Sequence, residues 1–191
     1  MQIAAEEKLG GFRSAHALAH FLDRYRACFA DLPHYAEHAD VPTSFGTVRA
    51  YRFAGQGDGQ NTPIMLLPGR NAPTPVYGTN VAPLLRHRDV YYIDLLGEPG
   101  LSVQTAPIAD AADQARWLEQ ALAGLGLAQV HLCGISIGGW AAVNHAVAHA
   151  RKLLPQGQVE LWAQASHALN GEYPEEIAER AQRFWTEIDA S

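Results

Sequence analysis

The stretch HLCGISIGGWAAV, His131 to Val143, decides the fold, because it holds a serine with a glycine two places to either side. Glycine is common enough for G-x-S-x-G to arise by chance, so the flanking sequence has to carry the argument. AQVHLCG reads as a strand, and Gly138 to about Leu154 reads as a helix. Ser136 then stands between the end of a strand and the start of a helix. A sharp turn of that kind strains its central residue and crowds neighbouring chains, and Gly134 and Gly138 remove the Cβ atoms that would collide. Ligands of open α/β sheets gather outside the carboxyl ends of strands, which makes Ser136 a candidate nucleophile. The helix turns its N-terminal N–H groups and positive dipole end toward the same spot, and the Ile137 N–H is a candidate donor to an oxyanion.

Outward from this turn the chain alternates. PIMLLPG (63–69) and DVYYIDLLG (89–97) are short apolar runs ending in glycine, suited to buried parallel strands, with a helix predicted around Val76 to His87. Beyond Ile108, the residues Ala112, Ala115, Leu118, Leu122 and Leu125 form a helical stripe that Gly126 ends. LLPGRN closes the first of these strands, and its Arg70 N–H is the second candidate oxyanion donor, the side chain reading equally as a solvated loop cation. Upstream, Ser14 caps a helix carrying Ala15, Leu18, Leu22, Tyr25 and Phe29, stopped by Pro33. YAEHADV and GTVRAYRFA are strand-like, and the turn-rich GQGDGQNTP after them reads as closing a hairpin. Downstream come a turn at Pro155-Gln156-Gly157, the strand QVELWAQ, and a helix from Pro174 with Ile177, Ala181, Phe184 and Ile188 on one face. This alternation predicts an α/β fold of three layers, α/β/α, around a mainly parallel sheet. Residues 1–191 read as a single domain, with 1–32 as an N-terminal helical extension.

Composition narrows the function classes. The 191 residues are 48% hydrophobic and 18% charged with a formal net charge of −6. With no run of Lys or Arg, neither nucleic acid nor an anionic membrane is expected as a partner. An N-terminus without a basic start and apolar stretch, and the lack of 18 consecutive apolar residues, predict a soluble cytoplasmic protein. Cys28 and Cys133 read as buried free thiols. The i, i+4 pairs His16/His20 and His145/His149 lack an H-E-x-x-H pattern and a third ligand, so no metal and no cofactor are expected. Trp140 and Trp162 read as packing residues, and the absence of G-x-G-x-x-G and G-x-x-x-x-G-K-[ST] argues against a phosphate-binding loop.

The order strand, Pro68-Gly69-Arg70, strand ending Asp94-Leu95-Leu96-Gly97-Glu98-Pro99-Gly100, strand, Gly134-Ile135-Ser136-Ile137-Gly138-Gly139 resembles an α/β-hydrolase. The likeness extends to bacterial esterase-like hydrolases with an N-terminal helical extension and a GEPG-type turn. In such proteins the catalytic histidine follows the last strand and precedes the last helix, and in ASHALNGEYPEEIAERAQRFW that position is His167. Two departures stand out. Pro68 replaces the usual histidine of the His-Gly oxyanion motif. The interval between Ser136 and His167 is also too short for the further strands, cap and acidic residue of the family, so the fold is expected in shortened form. Asp94, Glu160 and Glu172 are the candidates for a relocated acid, with a structural turn bond for Asp94 and solvent for the two glutamates as the competing readings. The resemblance implies a serine hydrolase acting on an ester-like small molecule. The alternative is a weakened or inactive binding protein whose bared strand edge suits a homo-oligomer.

Overall fold

A computed structural model describes residues 9–57, 59, 61–149 and 169–190. The Ser14 side chain accepts the Ala17 N–H at 3.1 Å and starts helix α1 (Ala15–Cys28), which tightens into a 3₁₀ turn at Phe29–Asp31. Strands β1 (Glu37–Thr43) and β2 (Gly46–Phe53) pair antiparallel from Glu37↔Arg52 to Thr43↔Gly46, so the reversal takes only Ser44 and Phe45. The hairpin therefore closes there, and GQGDGQNTP closes none. It leads instead to β3 (Ile64–Leu67), which is not a neighbour of β2. Turn residues announce a change of direction but do not select the partner, and the four buried residues of β3 draw it to the middle of the sheet.

With β4 (Val90–Ile93), the two-residue β5 (Val103–Gln104) and β6 (His131–Gly134), the sheet has the order β1-β2-β4-β3-β6, and β5 pairs with β2. It is mixed: β3 is parallel to β4 and to β6, and β2 is antiparallel to β1, β4 and β5. Only β2 runs against the common direction. Side-chain alternation along β3 divides the core. Ile64 and Leu66 join Tyr25 of α1, Val81 and Leu84 of α2 (Gly78–Leu84), and Ala178 and Trp185 of α6 (Pro174–Asp189). Met65 and Leu67 face the other way, onto Trp117, Leu118 and Ala121 of α3 (Ala111–Gly124) and Ala141 of α4 (Ile137–His149). A short helix α5 (Leu169–Glu172) precedes α6. The layers are α/β/α.

Both predicted stripes face the core. Asp110 caps α3, leaving Ala112 exposed in the first turn, and the buried face centres on Trp117 and Leu118. On α6 the fully buried residues are Ala178 and Trp185, and Ala181 and Phe184 of the predicted Ile177/Ala181/Phe184/Ile188 face pack against the same core, with Trp185 stacked on the ring of His131 at 5.1 Å. Arg88, 2% exposed, lies over the other partner in that cluster, its guanidinium 5.5 Å from the Trp185 ring, and bonds the Thr62 carbonyl at 2.8 Å and Asp189 at 3.1 Å. The last helix is thereby fastened to the entry of β3. The expected turn at 155–157 and strand QVELWAQ lie outside the described residues.

Asp94, at the end of β4, is fully buried. Its Oδ1 accepts from the N–H and hydroxyl of Thr74 at 2.9 and 2.8 Å, and its Oδ2 accepts from Tyr25 Oη and Leu101 N, both at 2.7 Å. One carboxylate thus ties α1, the turn before α2 and the loop after β4. Burial pushes the carboxyl upward against the pull of these donors. In Asp94→Asn an amide donor would face the Leu101 N–H, so urea denaturation should show a loss of about 1–3 kcal/mol, the cost of a buried unsatisfied donor. An unchanged unfolding midpoint would contradict this role.

Candidate active site

Ser136 adopts φ of 54°, left-handed backbone that a serine rarely takes, immediately after β6 and immediately before α4. Its side chain is exposed. Close packing beneath it explains both glycines. A Cβ on Gly134 would lie 2.4 Å from the Gly138 carbonyl carbon, and one on Gly138 would lie 2.2 Å from the Leu67 carbonyl oxygen. The Ser136 carbonyl accepts the Trp140 N–H at 3.0 Å as the first helical bond, and the Gly138 N–H turns back to the Ile135 carbonyl at 2.9 Å. The serine thus stands at the centre of a tight, strained strand-to-helix turn.

β3 ends beside it. The Ile135 N–H donates to the Leu67 carbonyl at 3.1 Å, and a Cβ built on Gly69 would stand 3.7 Å from Ser136 Cβ, so the Gly69-Arg70 loop adjoins the serine. That loop is held on both sides of Arg70: the Gly69 N–H donates to the Tyr77 hydroxyl at 3.1 Å and the Asn71 N–H to Glu98 Oε2 at 2.8 Å. Asn71 has φ of 58°. The Arg70 side chain is 71% exposed, with Nε 3.7 Å from Glu98 Oε1, which fits a solvated cation. Tyr77 and Glu98 were not singled out as site residues in the sequence. The GEPG turn was a visible mark, but nothing in it announced that Glu98 would latch a loop 27 positions earlier.

His167, with Glu160 and Trp162, lies outside the described residues. Glu172 is exposed at the end of α5. Trp140, expected in packing, is 48% exposed and lines a cleft with Asp110, Ala111 and Gln114 at the start of α3. Cys133 packs against the core below the elbow, where burial pushes its thiol up to about 11 and keeps it protonated. His16 and His20 are exposed, and His145 Nε2 is 3.7 Å from Glu119 Oε2. Among the described residues, no three His, Cys, Asp or Glu side chains are grouped to hold a metal, and no helix is long and apolar enough to cross a membrane.

The fold around the serine resembles that of known structures. The crystal structure of carboxylesterase CesB (YbfK) from Bacillus subtilis superposes with a TM-score of 0.63 at 27% identity, over 69% of this chain and 45% of that one. The fold is that of the α/β-hydrolases. In sequence, the carboxylesterase YbfK of Bacillus subtilis (strain 168) is 28% identical over 144 residues, 75% of this chain and 45% of the relative. A predicted CIB-like hydrolase from Thermoplasma acidophilum shares the fold at a TM-score of 0.60 and 14% identity, over 78% of this chain and 96% of that one. No protein-family model matches the chain. It spans just under half the length of the YbfK relative.

The elbow generates a stability test. Ser136→Gly removes the cost of a left-handed non-glycine residue, about 1–2 kcal/mol, against a smaller loss of chain entropy, so it should raise the urea midpoint. Gly138→Ala forces a methyl into the Leu67 carbonyl and should lower stability by about 2 kcal/mol or more. The reverse order of the two variants would refute the strained elbow.

Proposed function

We propose that the chain is a serine hydrolase acting on an ester-like small molecule, with Ser136 as nucleophile and His167 as base. The observation that carries this reading is the exposed serine, strained at a strand-to-helix turn, beside a loop whose own N–H groups are fixed in place. Gly138 has turned its N–H back to Ile135, which leaves the Ile137 N–H at the open end of α4. Gly69 and Asn71 have committed theirs, which leaves the Arg70 N–H between them. These two are the oxyanion donors in this reading. The carboxylesterase relatives support the reaction class.

Ser136 Oγ attacks the ester carbonyl while its proton passes to the His167 imidazole. The tetrahedral oxyanion is held by the two N–H groups, and its collapse releases the alcohol, which takes the proton from the imidazolium. Water then repeats the sequence on the acyl-enzyme. Asp94 does not orient the histidine here, because four donors already fill its carboxylate. Without an assigned acid the imidazole is held less firmly, and turnover is slow. The same observation favours the alternative of a binding protein without turnover, and one experiment separates the two.

A fluorophosphonate should label Ser136 alone, and Ser136→Ala should abolish labelling. Acylation by an activated ester should rise with pH as the imidazole loses its proton, and His167→Ala should slow it about 100-fold or more. Equal acylation by His167→Ala would refute the Ser–His mechanism, and no labelling of the parent would favour the inactive reading.

A further inference from the structure

One helical turn beyond the nucleophile, α4 presents an apolar surface that the reaction just described does not use. The Trp140 N–H bonds the Ser136 carbonyl, so the half-exposed indole is carried on the same turn as the reacting hydroxyl. With Leu9, Leu96 and Ile137 it lines a cleft of about 530 Å³ that opens at the residue following Ser136. The N-terminal segment forms the wall at the Gly97 turn. Gly10 donates its N–H to Gln104 Oε1 at 3.0 Å, and a Cβ there would lie 2.4 Å from Gly97 Cα, so only a glycine lets the segment lie this close. Glu98 and Asp110 also line the cleft, and among the described residues no Lys, Arg or His does.

We propose that this cleft is the subsite for an uncharged aryl group of the substrate ester, an inference that rests on the hydrolase reading. A flat indole face bounded by aliphatic side chains offers offset stacking to a ring as well as apolar burial, which distinguishes aryl from alkyl groups of similar size. The charges set the second preference. Glu98 pairs with Arg70 at 3.7 Å and accepts the Asn71 N–H, and Asp110 accepts the Asp113 N–H, so Asp110 keeps its full charge at the cleft. A carboxylate on the substrate would enter beside two others, with no cation among the described lining residues to offset the repulsion. The cleft reaches Ile137, the residue next to Ser136.

The test is the rate at which Ser136 of the full chain is labelled by fluorophosphonates that share one reactive group and carry methyl, cyclohexyl, phenyl or carboxyphenyl. The phenyl probe should react up to about tenfold faster than the cyclohexyl probe, and the carboxyphenyl probe more slowly than the phenyl one. Trp140→Ala should bring the phenyl-to-cyclohexyl ratio down to about 1, and Trp140→Phe should retain the preference. Gly10→Val, which lifts the N-terminal segment from the Gly97 turn, should reduce the preference from the other wall. Labelling of Ser136 with the same phenyl-to-cyclohexyl ratio in parent and Trp140→Ala overturns the subsite alone. A Trp140→Ala change in oligomeric size with no change in ratio assigns the surface to a second copy and also overturns it. Failure of every probe to label Ser136 overturns the hydrolase reading and the subsite with it.

Discussion

Gly138 lies against the carbonyl oxygens of Leu67 and Pro68 with no room for a side chain, and the site geometry depends on that contact. It brings the first turn of α4 over the end of β3, so the strand before the serine and the strand before the Gly69-Arg70 loop finish at the same level. Parallel pairing of β3 with β6, Ile64↔His131 through Leu67↔Gly134, supplies the register. β3 has β4, reached through α2, on one side and β6, reached through α3, on the other. At such a reversal of winding direction, the crevice above the strand ends is where an open α/β sheet accepts a ligand. Ser136 stands in it, and the strain at φ 54° is sustained because packing on both sides of the turn leaves the backbone no alternative.

The frame around the serine is built from buried polar groups with every partner in place. Asp94 anchors the N-terminal helix and the turn leading to α2, Tyr77 receives the Gly69 N–H, and Glu98 receives the Asn71 N–H. Taking a carboxylate out of water is costly unless its lone pairs are answered, and four donors answer those of Asp94. The same saturation that makes it structural removes it from consideration as a histidine partner. At the far end of the sheet, Arg88 joins Thr62, Asp189 and the Trp185 ring, which fixes the helix that follows the stretch bearing His167.

Local chemistry made much of this legible. The Ser14 cap, the Gly134 and Gly138 pair, the two apolar strands and the stop at Gly126 are signals that act within a few residues, and each is found in place. Partner choice acts over longer distances. The turn-rich GQGDGQNTP could not show that β2 pairs with β4 and not β3, and the α6 periodicity turned Ala181 and Phe184 inward without naming the His131 ring on which Trp185 stacks. The site was half legible for the same reason. Ser136, Ile137 and Arg70 sit within motifs, whereas Tyr77, Glu98 and the Leu9-Gly10 wall join it through contacts between distant segments. Trp140 read as packing because an indole in an apolar helix normally is buried.

The central claim is that Ser136, His167 and the N–H groups of Ile137 and Arg70 form one reacting centre. A crystal structure of the chain after reaction with a fluorophosphonate measures this directly. The account predicts phosphorus on Ser136 Oγ, a phosphoryl oxygen about 3 Å from both the Ile137 and Arg70 nitrogens, and the His167 ring within hydrogen-bond reach of Ser136 Oγ. An adduct whose phosphoryl oxygen points away from both nitrogens, or a His167 ring held far from the serine, would contradict it.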